Sequence, residues 1–141
     1  MVEREVGFLW MSTYPLTDPI LRAALRVHTE LGPGLVERVY EDCLEIEFRD
    51  RGIQFRRQAS IDVMYRGHQM KDSFKADFVV EDQVILELKS VALLNEAHFA
   101  QIINYVRLTK MPVGLLLNFN VQRLKYGIRR IEYRDGGIRT I

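Results

Sequence analysis

Residues 75–89 read KADFVVEDQVILELK, and this stretch decides the fold of the chain. Two apolar runs of strand length flank Glu81-Asp82-Gln83, which predicts a hairpin. Strands this rich in Val, Ile, Leu and Phe lie inside a sheet rather than at its margin. Three charged residues nevertheless interrupt them. The first strand is apolar at Phe74, Ala76, Phe78 and Val80, and the interrupting charges are Asp77, Glu87 and Lys89.

The pairing register determines what these charges do. A three-residue turn sets Asp77 opposite Glu87, and strand alternation puts Lys89 on the same face. Opposed Cβ atoms are about 5 Å apart, so the two carboxylates repel unless a cation lies between them. A hard divalent ion such as Mg²⁺ would suit this pair, and Lys89 would orient a water or offset negative charge beside it. The alternative is a surface hairpin with a solvated charged face.

Length and composition limit the class of protein. A chain of 141 residues is long enough for one domain with a substantial core. With 48% hydrophobic and 28% charged residues it is globular rather than disordered. No apolar run reaches the roughly 18 residues of a membrane span, so we expect no membrane partner. The single cysteine, Cys43, excludes an internal disulfide, and a cytoplasmic location is expected.

Basic residues are concentrated after the first long helical segments. The net charge is only +1, but residues 49–141 carry sixteen Lys and Arg against ten Asp and Glu. This excess permits a phosphate-facing surface without requiring one. Arg56 and Arg57 beside the first strand either meet phosphates or are solvated, and the solvated interpretation is favoured.

The order of elements predicts an α/β domain with two helices, an antiparallel meander, a crossover helix and a parallel strand. Residues 1–16 are expected to be an N-terminal extension and residues 17–141 a single domain. An irregularity is expected near Lys71-Asp72-Ser73, and Asn95 is expected to cap the crossover helix. The predicted helices are 17–31, 35–51 and 96–109, and the predicted strands are 54–65, 68–80, 84–89 and 113–118.

One carboxylate in the second predicted helix stands apart from the others. At 100° per residue, Glu37 lies in line with Leu44 and Phe48 at the edge of the apolar side. A carboxylate there needs a cation, a hydrogen-bond donor or a metal, unless its head reaches water. The remaining charged residues of this helix are predicted to form its solvated side: Arg38, Glu41, Asp42, Glu45 and Arg49.

Two motifs carry a family resemblance. Asp77 followed by Glu87-Leu88-Lys89 resembles the D…(D/E)xK signature of the PD-(D/E)xK phosphodiesterase superfamily. The segment from Gly34 through Glu37 to Tyr40 is similar to the Gly-x-x-Glu-x-x-Tyr signature of the GxxExxY family, a small-protein branch of that group. The likeness extends from about residue 20 to residue 131. It implies a restriction-endonuclease-like αβββαβ core, with a mixed sheet flanked by helices.

The resemblance also implies a site. Its catalytic residues would be Lys89, Glu37, Asp77 and Glu87. Mg²⁺ or Mn²⁺ would be held by Asp77, Glu87 and the Leu88 carbonyl, with Glu37 binding through water or completing a second ion site. Lys89 would position the attacking water.

A stripe on the following helix adds substrate contacts to the implied site. His98, Gln101 and Tyr105 form this stripe, and its Gln-x-x-x-Tyr pair resembles an element of RecB-like exonucleases. That element implies that Gln101 and Tyr105 hold the site and the nucleic-acid backbone. The alternative is that they are ordinary boundary residues of an amphipathic helix.

The expected function is metal-dependent hydrolysis of nucleic-acid phosphodiester bonds, with DNA and RNA both open as partners and a homodimer left open. Two other functions remain. One is a nuclease-fold binding or scaffold module with little or no turnover. The other is a metal-dependent phosphatase acting on small molecules.

Overall fold

Six strands form one sheet in the computed structural model, which describes residues 15–140. The predicted extension, residues 1–16, lies outside the described residues except for Pro15 and Leu16. The second helix begins at Glu37, two residues later than predicted. The elements are α1 (Thr17–Leu31), α2 (Glu37–Asp50), β1 (Phe55–Tyr65), β2 (His68–Val80), β3 (Val84–Lys89), α3 (Glu96–Thr109), β4 (Val113–Asn118), a 3-10 helix (Leu124–Gly127), β5 (Ile128–Arg134) and β6 (Gly137–Thr140).

The sheet is mixed, and its strands follow one another in sequence order from β1 to β6. Only β3 and β4 are parallel, and they pair from Val84↔Val113 to Lys89↔Asn118. Helix α3 connects these two strands because parallel neighbours require a crossover. This arrangement confirms the predicted α/β fold with its αβββαβ core.

The predicted register of the central hairpin is confirmed. Val80 pairs with Val84 across a turn in which Glu81 and Asp82 have φ values of 53° and 54°. The pairing continues to Phe78↔Leu86. One further step along both strands sets Asp77 across from Glu87.

Two hydrophobic cores lie on opposite faces of the sheet. The larger joins α1 and α2 to alternate sheet residues such as Leu86 and Leu88. The smaller joins α3 to Ile85 and Leu116. Burying one such side chain contributes roughly 1.5–3 kcal/mol. Since alternation governs β3, Glu87 and Lys89 lie on the α3 face.

Strand β2 changes faces within its alternating apolar residues. Phe74 and Ala76 pack in the α3 core, whereas Phe78 packs in the core of α1 and α2. The apolar residues of β2 are therefore divided between the two cores. The change occurs beside Gln58 of β1, whose φ of 49° breaks the regular strand alternation.

A second irregularity lies further out on the same two strands, where it was predicted. Ile61 pairs with Phe74, but Val63 pairs with Met70, so β2 contains two extra residues there. Within this segment Asp72 has a φ of 52°. The bulge lets the hairpin continue to Tyr65↔His68.

Gly127 provides a test of the packing beside the end of β4. A Cβ atom at this position would lie 2.1 Å from the backbone carbonyl oxygen of Asn118, which cannot move aside as a side chain can. We expect Gly127→Ala to lower the free energy of unfolding by about 2–3 kcal/mol, as overpacking does. Urea denaturation measures the change.

Gly137→Ala is the matched control. Its Cβ atom would have no neighbour nearer than 3.9 Å, and we expect a change within about 0.5 kcal/mol. Equal unfolding midpoints for the two variants would contradict the proposed steric conflict at Gly127.

Candidate functional site

Two carboxyl groups meet where β2 separates from β3. Glu87 is 3% exposed, and its side chain shares a hydrogen bond with Asp77. Asp77 Oδ2 also accepts a hydrogen bond of 2.8 Å from the Leu88 backbone N–H. This hydrogen bond takes the place of the next backbone hydrogen bond between β2 and β3, and it fixes Asp77 beside Glu87. Glu87 Oε1 is buried, and no group among residues 15–140 donates a hydrogen bond to it.

The environment of Glu87 favours its neutral form. Burial, followed by the charge and hydrogen bonding of Asp77, raises the pKa of Glu87 to about 9, with Lys89 opposing the rise. The metal-free protein therefore keeps a proton on Glu87 at neutral pH. A bound cation would favour the ionised form instead, because carboxylate ligands must lose their protons.

Glu37 lies on the same side of the molecule but at the surface. It is the first residue of α2 and is exposed. Partial desolvation raises the pKa of Glu37, Lys89 opposes this change, and Asp77 adds to it. Glu37 is therefore within electrostatic reach of the carboxyl pair. Among the described residues, no three His, Cys, Asp or Glu side chains form a metal-binding group, so Glu37 is not packed against Asp77 and Glu87.

The loop before α2 is tied to the end of β3. Tyr40 donates a 2.6 Å hydrogen bond to the Gly32 carbonyl and accepts one of 3.1 Å from the Leu35 N–H. Ser90 donates a 2.5 Å hydrogen bond to the Leu35 carbonyl. Because Ser90 directly follows Lys89, these contacts bring the start of α2 to the lysine. They give a physical reason for the tyrosine three residues after Glu37.

The Gln101–Tyr105 pair faces the carboxyl groups. Gln101 Nε2 donates a 2.9 Å hydrogen bond to the Tyr105 hydroxyl. Partial burial raises the pKa of Tyr105, the bond from Gln101 opposes this, and the charges of Glu87 and Asp77 add to it. The phenol ring stacks on Phe74 with ring centroids 3.8 Å apart. Tyr105 therefore joins the carboxyl pair to the β1–β2 hairpin.

His98, the third residue of the predicted stripe, has a different local contact. Asn95 caps α3 as predicted: its side chain accepts a hydrogen bond of 3.0 Å from the His98 N–H. His98 Nδ1 accepts one of 3.1 Å from the Asn95 N–H in return. This reciprocal pair is a capping box. The ring still contributes electrostatically at Glu37, where it lowers the pKa.

The burial or contacts of three residues near the site were not predicted from the sequence. Glu41 was predicted to be solvated but is 7% exposed. Gln58 Nε2 lies 2.7 Å from Glu41 Oε1 and 3.2 Å from Asp77 Oδ1, so it bridges α2 and the site. Arg57 was also predicted to be solvated, but it pairs with acidic residues of α2. Its partners are Glu41 at 2.8 Å, Asp42 at 2.6 Å and Glu45 at 3.3 Å.

One sequence signal pointed toward the ion cluster. Glu41 and Glu45 are four residues apart and therefore share a helix face. A strand arginine could have been matched to that face, but the packing of β1 on α2 was not determined by the sequence pattern.

A family model described as the PD-(D/E)XK nuclease superfamily matches residues 14–131, most of the chain. The chain belongs to this superfamily. The matched segment contains the carboxyl pair, Glu37, Lys89 and the Gln101–Tyr105 pair. The comparisons with curated proteins and with solved structures gave no match. None of the helices in residues 15–140 has the length and apolarity that crossing a membrane requires.

The raised pKa of Glu87 predicts a specific pH dependence in the metal-free protein. The unfolded chain loses this proton near pH 4.3, whereas the folded protein holds it until about pH 9. Between these values the folded state binds more protons, so its stability falls as pH rises, by at most about 1.4 kcal/mol per unit. We expect Glu87→Gln to remove this slope. The free energy of unfolding of the variant, relative to that of the wild type, should therefore increase from pH 5 to pH 8.5.

Urea denaturation in EDTA across this pH range measures the effect. Glu47→Gln, on the surface of α2, is the control and should keep the wild-type slope. A parallel loss of stability in the wild type and in Glu87→Gln would show that Glu87 does not carry the proton.

Proposed function

We propose that this protein hydrolyses phosphodiester bonds of nucleic acids with the help of a divalent metal ion, Mg²⁺ or Mn²⁺. The observation that carries the proposal is the buried, unpartnered Glu87 Oε1 beside Asp77. A buried polar atom without a partner costs about 1–3 kcal/mol. A divalent cation would satisfy this atom, so the residues present fit a metal. The proposed ligands are Asp77, Glu87 and the Leu88 carbonyl, and Mg²⁺ keeps several waters besides such ligands.

The metal, when bound, would polarise the phosphate and lower the pKa of an attacking water. Lys89 lies two residues beyond Glu87 on the same face of β3. There it would hold the water and offset the negative charge that develops on the phosphate oxygens. Glu37, within electrostatic reach of Lys89, would hold a second water or a second ion. Gln101 and Tyr105 would orient Lys89 or donate to a phosphate oxygen.

We also infer that the chain is a member of the GxxExxY branch of the superfamily. The support is the role that the geometry gives to each position of that motif. Tyr40 holds the loop that contains Gly34. Glu37 is the first helical residue after that loop and lies within reach of Lys89. The spacing of the motif therefore serves the placement of Glu37.

Cleavage by a lysine variant tests the proposed chemistry. Single- and double-stranded DNA and RNA are incubated with wild type or Lys89→Gln in Mg²⁺ and in Mn²⁺. We expect the variant to lose roughly 10²- to 10³-fold in rate, the effect of removing one preorganised donor. Lys110→Gln is the control, because Lys110 caps α3 at the opposite end of the parallel strands.

Three results would count against this function. Equal cleavage by wild type and Lys89→Gln would exclude the lysine role. Faster hydrolysis of mononucleotides than of polymers would favour a phosphatase. Metal binding without hydrolysis of any substrate would favour a binding module.

Metal binding should also stabilise the fold. A ligand at 100 times its Kd adds about 2.7 kcal/mol to the free energy of unfolding. We expect the Tm of the wild type to rise by several degrees between EDTA and millimolar Mn²⁺, as measured by differential scanning calorimetry. Glu87→Gln should lose this rise, and Glu47→Gln should keep it. A metal-dependent rise that is equal in all three proteins would locate the metal elsewhere.

A further inference from the structure

Strands β1 and β2 continue beyond the end of β3 as a two-stranded arm, defined here as residues 59–76. The pairing of β2 with β3 ends at Phe78↔Leu86, but β1 and β2 remain paired as far as Tyr65↔His68. Seven residues of β1 lie in the arm, which corresponds to roughly 20 Å. Because β2 is antiparallel to β3, the arm leaves the sheet at the Lys89 end. Its base therefore adjoins the carboxyl pair.

One face of the arm carries an apolar and aromatic strip, defined here as Val63, Tyr65, His68 and Met70. Val63 pairs with Met70 and Tyr65 pairs with His68, and directly paired residues share a face. Ile61 precedes them on the same face by strand alternation, and it packs in the α3 core. The strip therefore lies on the same face of the sheet as Glu87 and Lys89.

The strip is continuous with the site. Phe74, which pairs with Ile61 at the base of the arm, stacks on Tyr105 with ring centroids 3.8 Å apart. The Tyr105 hydroxyl is within electrostatic reach of Glu87 and Asp77. A path of ring and apolar side chains thus leads from the carboxyl pair outward along the arm.

The outer part of this path is left in contact with solvent. Tyr65 is 62% exposed and Met70 is 44% exposed. Large exposed apolar side chains gathered on one face mark an interaction surface more often than scattered ones do.

The charged residues of the arm lie mostly away from the strip. Asp62 accepts hydrogen bonds from Gln69 Nε2 at 2.6 Å and from the Asp72 N–H at 2.8 Å, and Asp72 accepts one from Ser60. Because Ser60 and Asp62 alternate with Ile61 and Val63 along β1, both carboxylates lie on the face opposite the strip. Among the exposed basic residues, Arg66 lies in the turn between Tyr65 and His68, at the outer end of the strip. Lys75 pairs with Ser60 and therefore lies on the opposite face, and Lys71 acts electrostatically on Asp62.

We propose that the strip binds the bases of a single-stranded nucleic acid whose backbone leads into the site, an inference that rests on the proposed function. An exposed aromatic ring stacks on an unpaired base of any sequence, whereas a duplex hides its base faces. Arg66, in the turn at the outer end of the strip, would meet a phosphate of the same strand. Since Phe74 and Tyr105 connect the base of the arm to the carboxyl pair, a strand bound along the strip would be led to Asp77 and Glu87.

Binding of labelled oligonucleotides tests the strip without any cleavage. Fluorescence anisotropy in EDTA compares a 15-nucleotide single strand with its duplex at one fixed salt concentration. We expect Tyr65→Ala and Met70→Ala to raise the Kd for the single strand at least fivefold, the lower end of what stacking one base contributes. Met64→Ala is the matched control, because Met64 is also 62% exposed but lies on the opposite face. Its Kd should change less than twofold.

The same experiment can overturn the proposal in three ways. Equal effects of Tyr65→Ala and Met64→Ala would show that the strip face has no special role. Tighter binding of the duplex than of the single strand would exclude stacking on unpaired bases. Failure of the wild type to bind any single strand would exclude the strip as a nucleic-acid surface.

Steady-state kinetics in Mn²⁺ separate this proposal from the proposed chemistry. Bis(p-nitrophenyl) phosphate is a diester too small to reach the strip, so Tyr65→Ala should raise the KM for the oligonucleotide and leave hydrolysis of the small diester unchanged. If Lys89→Gln abolishes cleavage but Tyr65→Ala leaves the KM for the oligonucleotide unchanged, the strip proposal alone fails. If Lys89→Gln impairs neither reaction while Tyr65→Ala weakens single-strand binding, the proposed chemistry fails and the strip remains.

Discussion

Burial of the Glu87 carboxyl group is the constraint on which the rest of the site depends. A carboxylate in the interior of a sheet loses its hydration, and only a cation or several donors can replace that hydration. The protein provides hydrogen bonds from the side chain and the backbone of Asp77, and it leaves Oε1 unpartnered. A leucine here would pack without this penalty. The buried Glu87 carboxyl group therefore lowers the stability of the folded protein, and a divalent ion would neutralise this group.

Three separate contacts bring the remaining groups to Glu87, and each comes from a different element. The Leu88 N–H holds Asp77 at the point where β2 leaves β3. Tyr40 and Ser90 together hold the loop that precedes Glu37. The stacking of Tyr105 on Phe74 holds α3 against the base of the arm. Because the side chains in these contacts are buried or half-buried and lie on helices, on strands or, for Ser90, directly after a strand, the site does not depend on a long loop for its geometry.

The sequence predicted those features that follow from periodicity and turn length. Alternating apolar residues and a three-residue turn determine the register that sets Asp77 across from Glu87. Asn95, as a capping residue, predicted where α3 begins. The sequence did not predict the change of face beside Gln58, because glutamine carries no signal for a positive φ. The burial of Glu41 was missed for a related reason: a helical projection places charged residues outward and contains no information about Arg57 on a neighbouring strand. For Glu37 the helical projection left two possibilities open, and the exposure of this residue at the start of α2 agrees with the one in which its head reaches water.

The conformation of Gln58 links the chemistry of the site to the orientation of the arm. A positive φ at a non-glycine residue costs of order 1–3 kcal/mol. The side chain offsets that cost by donating to Glu41 and to Asp77. Phe55, before Gln58, packs against the core of α1 and α2, whereas Ile61, after it, packs against α3. Strict alternation would have turned Ile61, and with it Val63 and Tyr65, away from Glu87. The residue that orients Asp77 is thus also the reason that the exposed ring of Tyr65 lies on the face where a bound strand would reach the carboxyl pair.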